Sequence, residues 1–190
     1  AKCRDCGAKI AWRYPLVELI TGILSLLLFI KFGLTLNFLV FFVFAAVLIV
    51  NTFIDLDHQI IPDVLSLPGI PVFFLAAIFI VQVPWKEALI GLLVGGGVLF
   101  AVAFTYELIT KREGMGGGDI KLLAMIGGFF GWKSLIFILL FSSLAGAVVG
   151  VAIMLFHKKD MKYAVPFGPF LSAAAVGYIF LGDVFMNFLL

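Results

Sequence analysis

NFLVFFVFAAVLIVNTFI, from Asn37 to Ile54, runs directly into DLDHQIIPD, from Asp55 to Asp63. The first stretch is uncharged and close to the roughly 20 apolar residues that a helix needs to cross a lipid hydrocarbon core. The second places three aspartates and a histidine immediately behind it. Ionisable groups near membrane depth are costly and tend to be functional. An apolar span that ends on carboxylates therefore speaks to fold and function together.

The rest of the chain agrees with that stretch. Of its 190 residues 64% are hydrophobic and 13% charged, and the mean hydropathy is +1.23. A soluble domain of this length needs far more polar surface. The formal net charge of +2 says little by itself, and no nucleic-acid partner is expected. Further apolar spans are expected at Leu16 to Thr35, Val64 to Val83, Ala88 to Thr110, Ser134 to Phe156 and Pro166 to Leu181, the last extending towards Leu190. Asp119 to Gly131 is a shorter, glycine-bearing segment. The pattern predicts an all-α, polytopic membrane bundle of about seven spans, with the lipid bilayer as its surroundings. Gly146-x-x-x-Gly150 has the spacing that lets another helix approach closely.

Basic residues orient the bundle. With the N-terminus inside and each span reversing side, ten lie inside: Lys2, Arg4, Lys9, Arg13, Lys111, Arg112, Lys121, Lys158, Lys159 and Lys162. Lys31, Lys86 and Lys133 lie outside, giving ten against three. Trp85 and Trp132 then fall at the outer interface. The polar segments 1–14, 55–63, 111–118 and 157–165 all face the cytoplasm, and any chemistry is expected there.

The carboxylates stand out on that face. Asp55 follows directly on an apolar run and is expected deepest. Asp63 follows Pro62, precedes an apolar helix, and reads as an N-cap. Asp57 reads as a loop carboxylate. Asp119 closes Gly114-Met115-Gly116-Gly117-Gly118-Asp119. Its glycines are expected to preclude a stable helix before it and to allow close approach by another chain. Gly116, Gly117 and Gly118 are therefore candidates for shaping the site or binding substrate. Lys121 either helps hold Asp119 ionised or serves as an interfacial anchor.

Asp55 and Asp119 are 64 positions apart, and the chain crosses outward and returns between them. Both end on one face. Facing carboxylates in a poorly solvated site share one proton. The ionised one can activate water, and the protonated one can donate to a developing oxyanion. No cysteine or serine constellation competes.

With these residues assembled, the sequence resembles the bacterial type IV prepilin leader peptidases, membrane aspartic peptidases marked by Gly-x-Gly-Asp. The likeness rests on Ile54-Asp55-Leu56-Asp57 with Ile61-Pro62-Asp63, on Gly114 to Ala124, and on Pro166-Phe167-Gly168-Pro169-Phe170, and runs from Cys3 to about Gly182. It implies Asp55 and Asp119 as the catalytic pair. It implies cleavage of the basic leader from type IV prepilins or pseudopilins, at the cytoplasmic face of the bacterial inner membrane. Proteolysis needs no cofactor. Many members also methylate the new N-terminus with S-adenosylmethionine.

Bacterial members usually carry an N-terminal span and a cytoplasmic domain with two C-x-x-C pairs binding zinc. One pair, Cys3 and Cys6, is present here, half of a tetrahedral zinc site. The chain opens at Ala1 in a polar segment, so a preceding span and the other pair are expected upstream. Residues 1–14 are then the remnant of the cysteine-bearing segment, and 15–190 the transmembrane peptidase domain. A small ion-coupled transporter and a non-catalytic pilus-assembly scaffold are the competing readings. Transport sites usually lie near the midplane, whereas both aspartates here fall near one face.

Overall fold

The computed structural model describes residues 11–111, 116–157 and 166–189. Among the described residues the chain is helical, with no strand. The helices are α1 (Arg13–Phe32), α2 (Leu36–His58), α3 (Asp63–Ala76), α4 (Trp85–Thr110), α5 (Gly117–Phe130), α6 (Trp132–His157) and α7 (Gly168–Leu189). A π-helical turn, Ala77–Val81, continues α3. Six of these elements, all but α5, are long and apolar enough to cross a membrane. The protein is a multi-pass membrane protein of the all-α class. The seventh segment expected from sequence is the exception in length: 14 residues rise only about 21 Å.

Residues 1–49 and 50–190 form two compact units. In the first, α1 ends where Gly33 takes a φ of +62° and donates its N–H to the Phe29 carbonyl. Thr35 then caps α2, its hydroxyl oxygen accepting from the Phe38 N–H at 3.3 Å. Phe32 stacks on Phe41 across this turn, with ring centroids 4.6 Å apart.

The second unit holds the end of α2 and all of α3 to α7. Its axis is α5, which packs against α3, α4, α6 and α7. Leu122 through Phe129 are all buried. A helix that is apolar all round is an interior helix. Because protein encloses α5, it has no need to match the thickness of the bilayer.

Glycine permits that enclosure on the α4 side. A Cβ on Gly91 would lie inside contact distance of the Gly127 carbonyl, and the reverse holds equally. A Cβ on Gly95 would sit 2.6 Å from the Leu123 carbonyl oxygen. The close crossing is therefore Gly91-x-x-x-Gly95 against α5. The crossing expected at Gly146 and Gly150 differs. Gly146 faces the rings of Phe167 and Phe170 at ordinary contact distance, and Gly150 meets nothing within 4 Å. Glu87 and Lys133 pair at 3.3 Å and tie the first turns of α4 and α6. Ser134 donates to the Gly131 carbonyl at 2.7 Å, closing the tight α5–α6 turn.

Candidate active site

The helix of α2 does not stop at Ile54. It continues through Asp55 and Asp57 to His58 and ends where Gln59 adopts a φ of +54°. The Gln59 N–H donates to the Asp55 carbonyl at 2.9 Å. Asp55 is thus a helical residue in the last turn of α2, where the macrodipole disfavours a negative charge. Another helix compensates. The Gly168 N–H, in the first turn of α7, donates to Asp55 Oδ2 at 3.1 Å. Asp55 is 5% exposed.

Asp119 lies in the first turn of α5, outside the six membrane-spanning helices. The preceding glycines do not keep that turn from forming: Gly117 and Gly118 are helical, and the Asp119 N–H donates to the Gly116 carbonyl at 3.2 Å. Tertiary packing overrides low helix propensity here, because Gly118 closes onto Ile61. A Cβ at Gly118 would lie 2.7 Å from Ile61 Cβ. Gly116 and Gly117 have no such neighbour. Of the three glycines expected to shape the site, Gly118 is the one whose missing side chain the packing uses.

Ile61 is the hinge pin between the two halves of the site. Its other end faces Gly168, where an added Cβ would lie 3.1 Å from Ile61 Cδ1 and 2.6 Å from Asp55 Oδ2. One buried side chain thereby separates the first turns of α5 and α7 while both close on it. Asp119 comes within electrostatic reach of Asp55. Burial first, and the Asp55 charge second, push the Asp119 carboxyl up to about 7. Asp119 Oδ1 is buried without a protein hydrogen-bond partner. The two carboxylates are thus unequal: a backbone N–H holds one, and the other favours its proton.

Asp63 and Lys121 take different places from those expected. Asp63 is the first residue of α3 rather than its cap, and Pro62 stands at the cap position without a side-chain bond. The Asp63 carboxylate instead pairs with Lys121 Nζ at 2.5 Å. Lys121, two residues after Asp119 on α5, thereby straps α5 to α3. Asp57 is exposed on the last turn of α2, a helical position rather than a loop one.

The sequence reading passed over Gly168, Ile61 and Asn51 as site residues. The Pro-Phe-Gly-Pro string was the available signal for Gly168, since a glycine between breakers marks a helix start. Nothing in a run of isoleucines distinguishes Ile61. Asn51, one turn before Asp55, is 1% exposed, and neither of its side-chain amide atoms has a protein partner. Ser172, one turn into α7 from Gly168, is likewise buried and unpartnered.

Cys3 and Cys6 lie outside the described residues. Among the described residues no group of three or more His, Cys, Asp or Glu gathers as a metal site. Two thiols alone do not complete a tetrahedral zinc shell.

Two carboxylates from different helices, one buried and the other half-buried with a raised affinity for its proton, match what an aspartic peptidase uses. Sequence comparison carries the assignment to a family. The family model for the type IV leader peptidase family matches residues 40–151, a stretch holding both Asp55 and Asp119. The chain belongs to the type IV leader peptidase family. Residues 1–32 match the bacterial peptidase A24 N-terminal domain. The chain is similar to the prepilin leader peptidase/N-methyltransferase of Aeromonas salmonicida, 39% identical over 182 residues, covering 96% of this chain and 62% of the relative. It is similar to the proteins of the same name from Aeromonas hydrophila, 40% identical over 185 residues, and Pseudomonas aeruginosa, 39% identical over 182. In both cases 96% of this chain and 63% of the relative are covered. The chain thus spans less than two thirds of the length of these relatives. No solved structure matches it.

Proposed function

We propose that the protein is a membrane aspartic endopeptidase that removes the basic leader from type IV prepilins or pseudopilins. The observation that carries the reading is the unequal pair: Asp55 held by the Gly168 N–H at 3.1 Å, and Asp119, half-buried and within its electrostatic reach, with a raised affinity for its proton. An N–H donor stabilises a carboxylate in its ionised form. Asp55 is therefore the general base that takes a proton from the attacking water. Asp119, protonated, donates to the carbonyl oxygen as the tetrahedral intermediate forms; on its collapse Asp55 passes the proton it took from water to the leaving amine nitrogen, and Asp119 recovers its proton from the hydroxyl that becomes the new carboxyl group. Burial of both groups strengthens their effect on the reacting atoms.

The basic-residue bias supports a site facing the cytoplasm, at the bacterial inner membrane. The names of the relatives support a second activity, N-methylation of the trimmed product with S-adenosylmethionine as methyl donor. Zinc, were it held in part by Cys3 and Cys6, would order the cysteine-bearing segment. Neither group takes part in the proteolytic steps.

The deciding experiment is cleavage of a synthetic prepilin substrate by Asp55→Asn and Asp119→Asn proteins. Asn keeps the size and much of the hydrogen bonding but cannot exchange protons, so each variant loses about 10²–10⁴-fold or more in kcat. Because the two act as one unit, the double variant is expected to be no worse than either single variant. Substantial turnover by either well-folded single variant rejects the reading.

A further inference from the structure

A cavity of about 550 Å³ lies between α4, α6 and the start of α7. Val98, Leu99 and Val102 line it from α4, Ser143 and Gly146 from α6, and Phe167 and Phe170 close its end. Its volume is that of a typical ligand site, about 300–1,000 Å³. Among the described residues its lining contains no charged side chain. It adjoins the candidate active site through the chain: Phe167 and Phe170, which line it, flank Gly168, the residue whose N–H holds Asp55.

Resting on the peptidase reading, we propose that this groove is a substrate subsite for the first apolar residues on the C-terminal side of the scissile bond. The charge of the substrate decides the side. A basic leader would bring lysine or arginine against a described lining that holds no carboxylate, and burying an unpaired charge is costly. In the prepilins that the family resemblance implies as substrates, an apolar helix follows the leader, and its side chains gain by burial. The position decides the register. Phe167 is the chain neighbour of Gly168, which touches Asp55, so a substrate lying against Asp55 meets the groove with the start of the helix rather than its far end. Gly146 keeps the floor open: a side chain there would meet the Phe167 and Phe170 rings at 3.6–3.9 Å and fill the space between them.

A double-mutant cycle between enzyme and substrate tests this. The probe is a synthetic peptide with a lysine-rich leader and an apolar helix of about 20 residues, and its partner has serine at the first apolar positions after the cut. Against the unaltered protein the serine substitutions are expected to lower kcat/KM about tenfold or more, as for lost apolar pocket contacts. Against Gly146→Phe, whose ring fills the groove, the same substitutions are expected to cost less than about threefold, because the contact is already lost. Equal costs in both proteins overturn the inference. Ser143→Phe fills the groove from another point of α6 and is read the same way if Gly146→Phe does not fold. A photo-crosslinker at Val102 in an Asp119→Asn background supplies an independent reading. Crosslinking to the first apolar residues of the peptide supports the subsite. Crosslinking to bilayer lipid alone, with peptide present, overturns it. Failure of the unaltered protein to cleave any peptide would reject the proposed function itself, whereas cleavage with additive losses rejects only the groove.

Discussion

Gly168→Ala is the most exacting test of the site geometry, because it adds one methyl group and removes nothing. The new Cβ would lie 2.6 Å from Asp55 Oδ2 and 3.1 Å from Ile61 Cδ1. Ordinary contact begins near 3.4 Å, so Asp55 Oδ2 must retreat by 0.8 Å, the difference between 3.4 and 2.6 Å. Retreat of that size stretches the Gly168 N–H bond from 3.1 Å past the limit of a useful hydrogen bond. Two routes give the same magnitude. A misplacement of about 1 Å in a catalytic group costs on the order of 10²-fold in rate. Loss of a hydrogen bond to a charged group costs about 1.5–3 kcal/mol, or roughly 10–150-fold. We therefore expect kcat to fall about 10²-fold, with KM little changed because the groove is untouched. The assay is steady-state cleavage of a synthetic prepilin peptide in detergent, after checking that the variant is monodisperse. Gly97→Ala is the matched control, since nothing lies within 4 Å of a Cβ there. Its helix gains up to about 1 kcal/mol of propensity, and its activity stays normal. A well-folded Gly168→Ala protein with kcat within about threefold of the unaltered enzyme would refute the geometric reasoning.

Three further outcomes follow from the site. Turnover should decline as pH rises through about 7, because the pair then loses the proton that Asp119 holds; a rate that climbs across that range would contradict the assignment of Asp119 as acid. Lys121→Ala breaks a half-exposed ion pair with Asp63, so a thermal melt should register under about 1 kcal/mol, and a larger loss would mean that Lys121 does more than strap α5 to α3. Asn51→Leu replaces a buried, unpartnered amide with an apolar group of similar size, and should raise thermal stability by about 1–3 kcal/mol while lowering cleavage. Stability gained without loss of cleavage would show that Asn51 has no part in the site.

The sequence made most of the fold legible because lipid imposes a simple rule on it. Six apolar runs near 20 residues long are hard to read otherwise, and the tryptophans and lysines at their ends supply direction. Helix ends were less legible. Asp55 looked like the residue after a helix because polarity changes there, yet α2 continues for another turn to His58, since the dipole penalty on Asp55 is met by α7, a helix 113 residues away. Asp63 looked like a cap because Asp favours that position, but a lysine across the α3–α5 contact takes its carboxylate. Long-range partners decide both cases, and no local pattern announces them. The two aspartates were legible as a pair only because the intervening crossings return the chain to the same face.

Glycine use in the core gives the remaining step. Gly146 and Gly150 have the spacing of a close helix contact, but Gly91 and Gly95 make one, because α5 lies opposite them and carries Gly127 at the matching height. Spacing on one helix is thus necessary and not sufficient; the partner must be small at the same level. The contact has a consequence at the site. Close approach of α4 lets α5 sit in the middle of the bundle, enclosed on all sides and only 14 residues long. The first turn of that enclosed helix carries Asp119. Burial of that carboxyl is therefore a product of packing about two turns further along α5. Gly127→Ala should act on Asp119 from that distance. A Cβ there would strike the Gly91 carbonyl and Leu135, and backbone cannot yield as a side chain can. α5 must shift away from α4 or the bundle must loosen. We expect a cost of about 1–3 kcal/mol, the usual range for overpacking, together with a fall in kcat and a displaced pH dependence as Asp119 gains solvent. Melting temperature and the pH–rate profile measured on the same preparation check both halves. Lost stability with an unmoved pH profile would separate the helix crossing from the carboxyl, and would show that Asp119 is held by its own first turn alone.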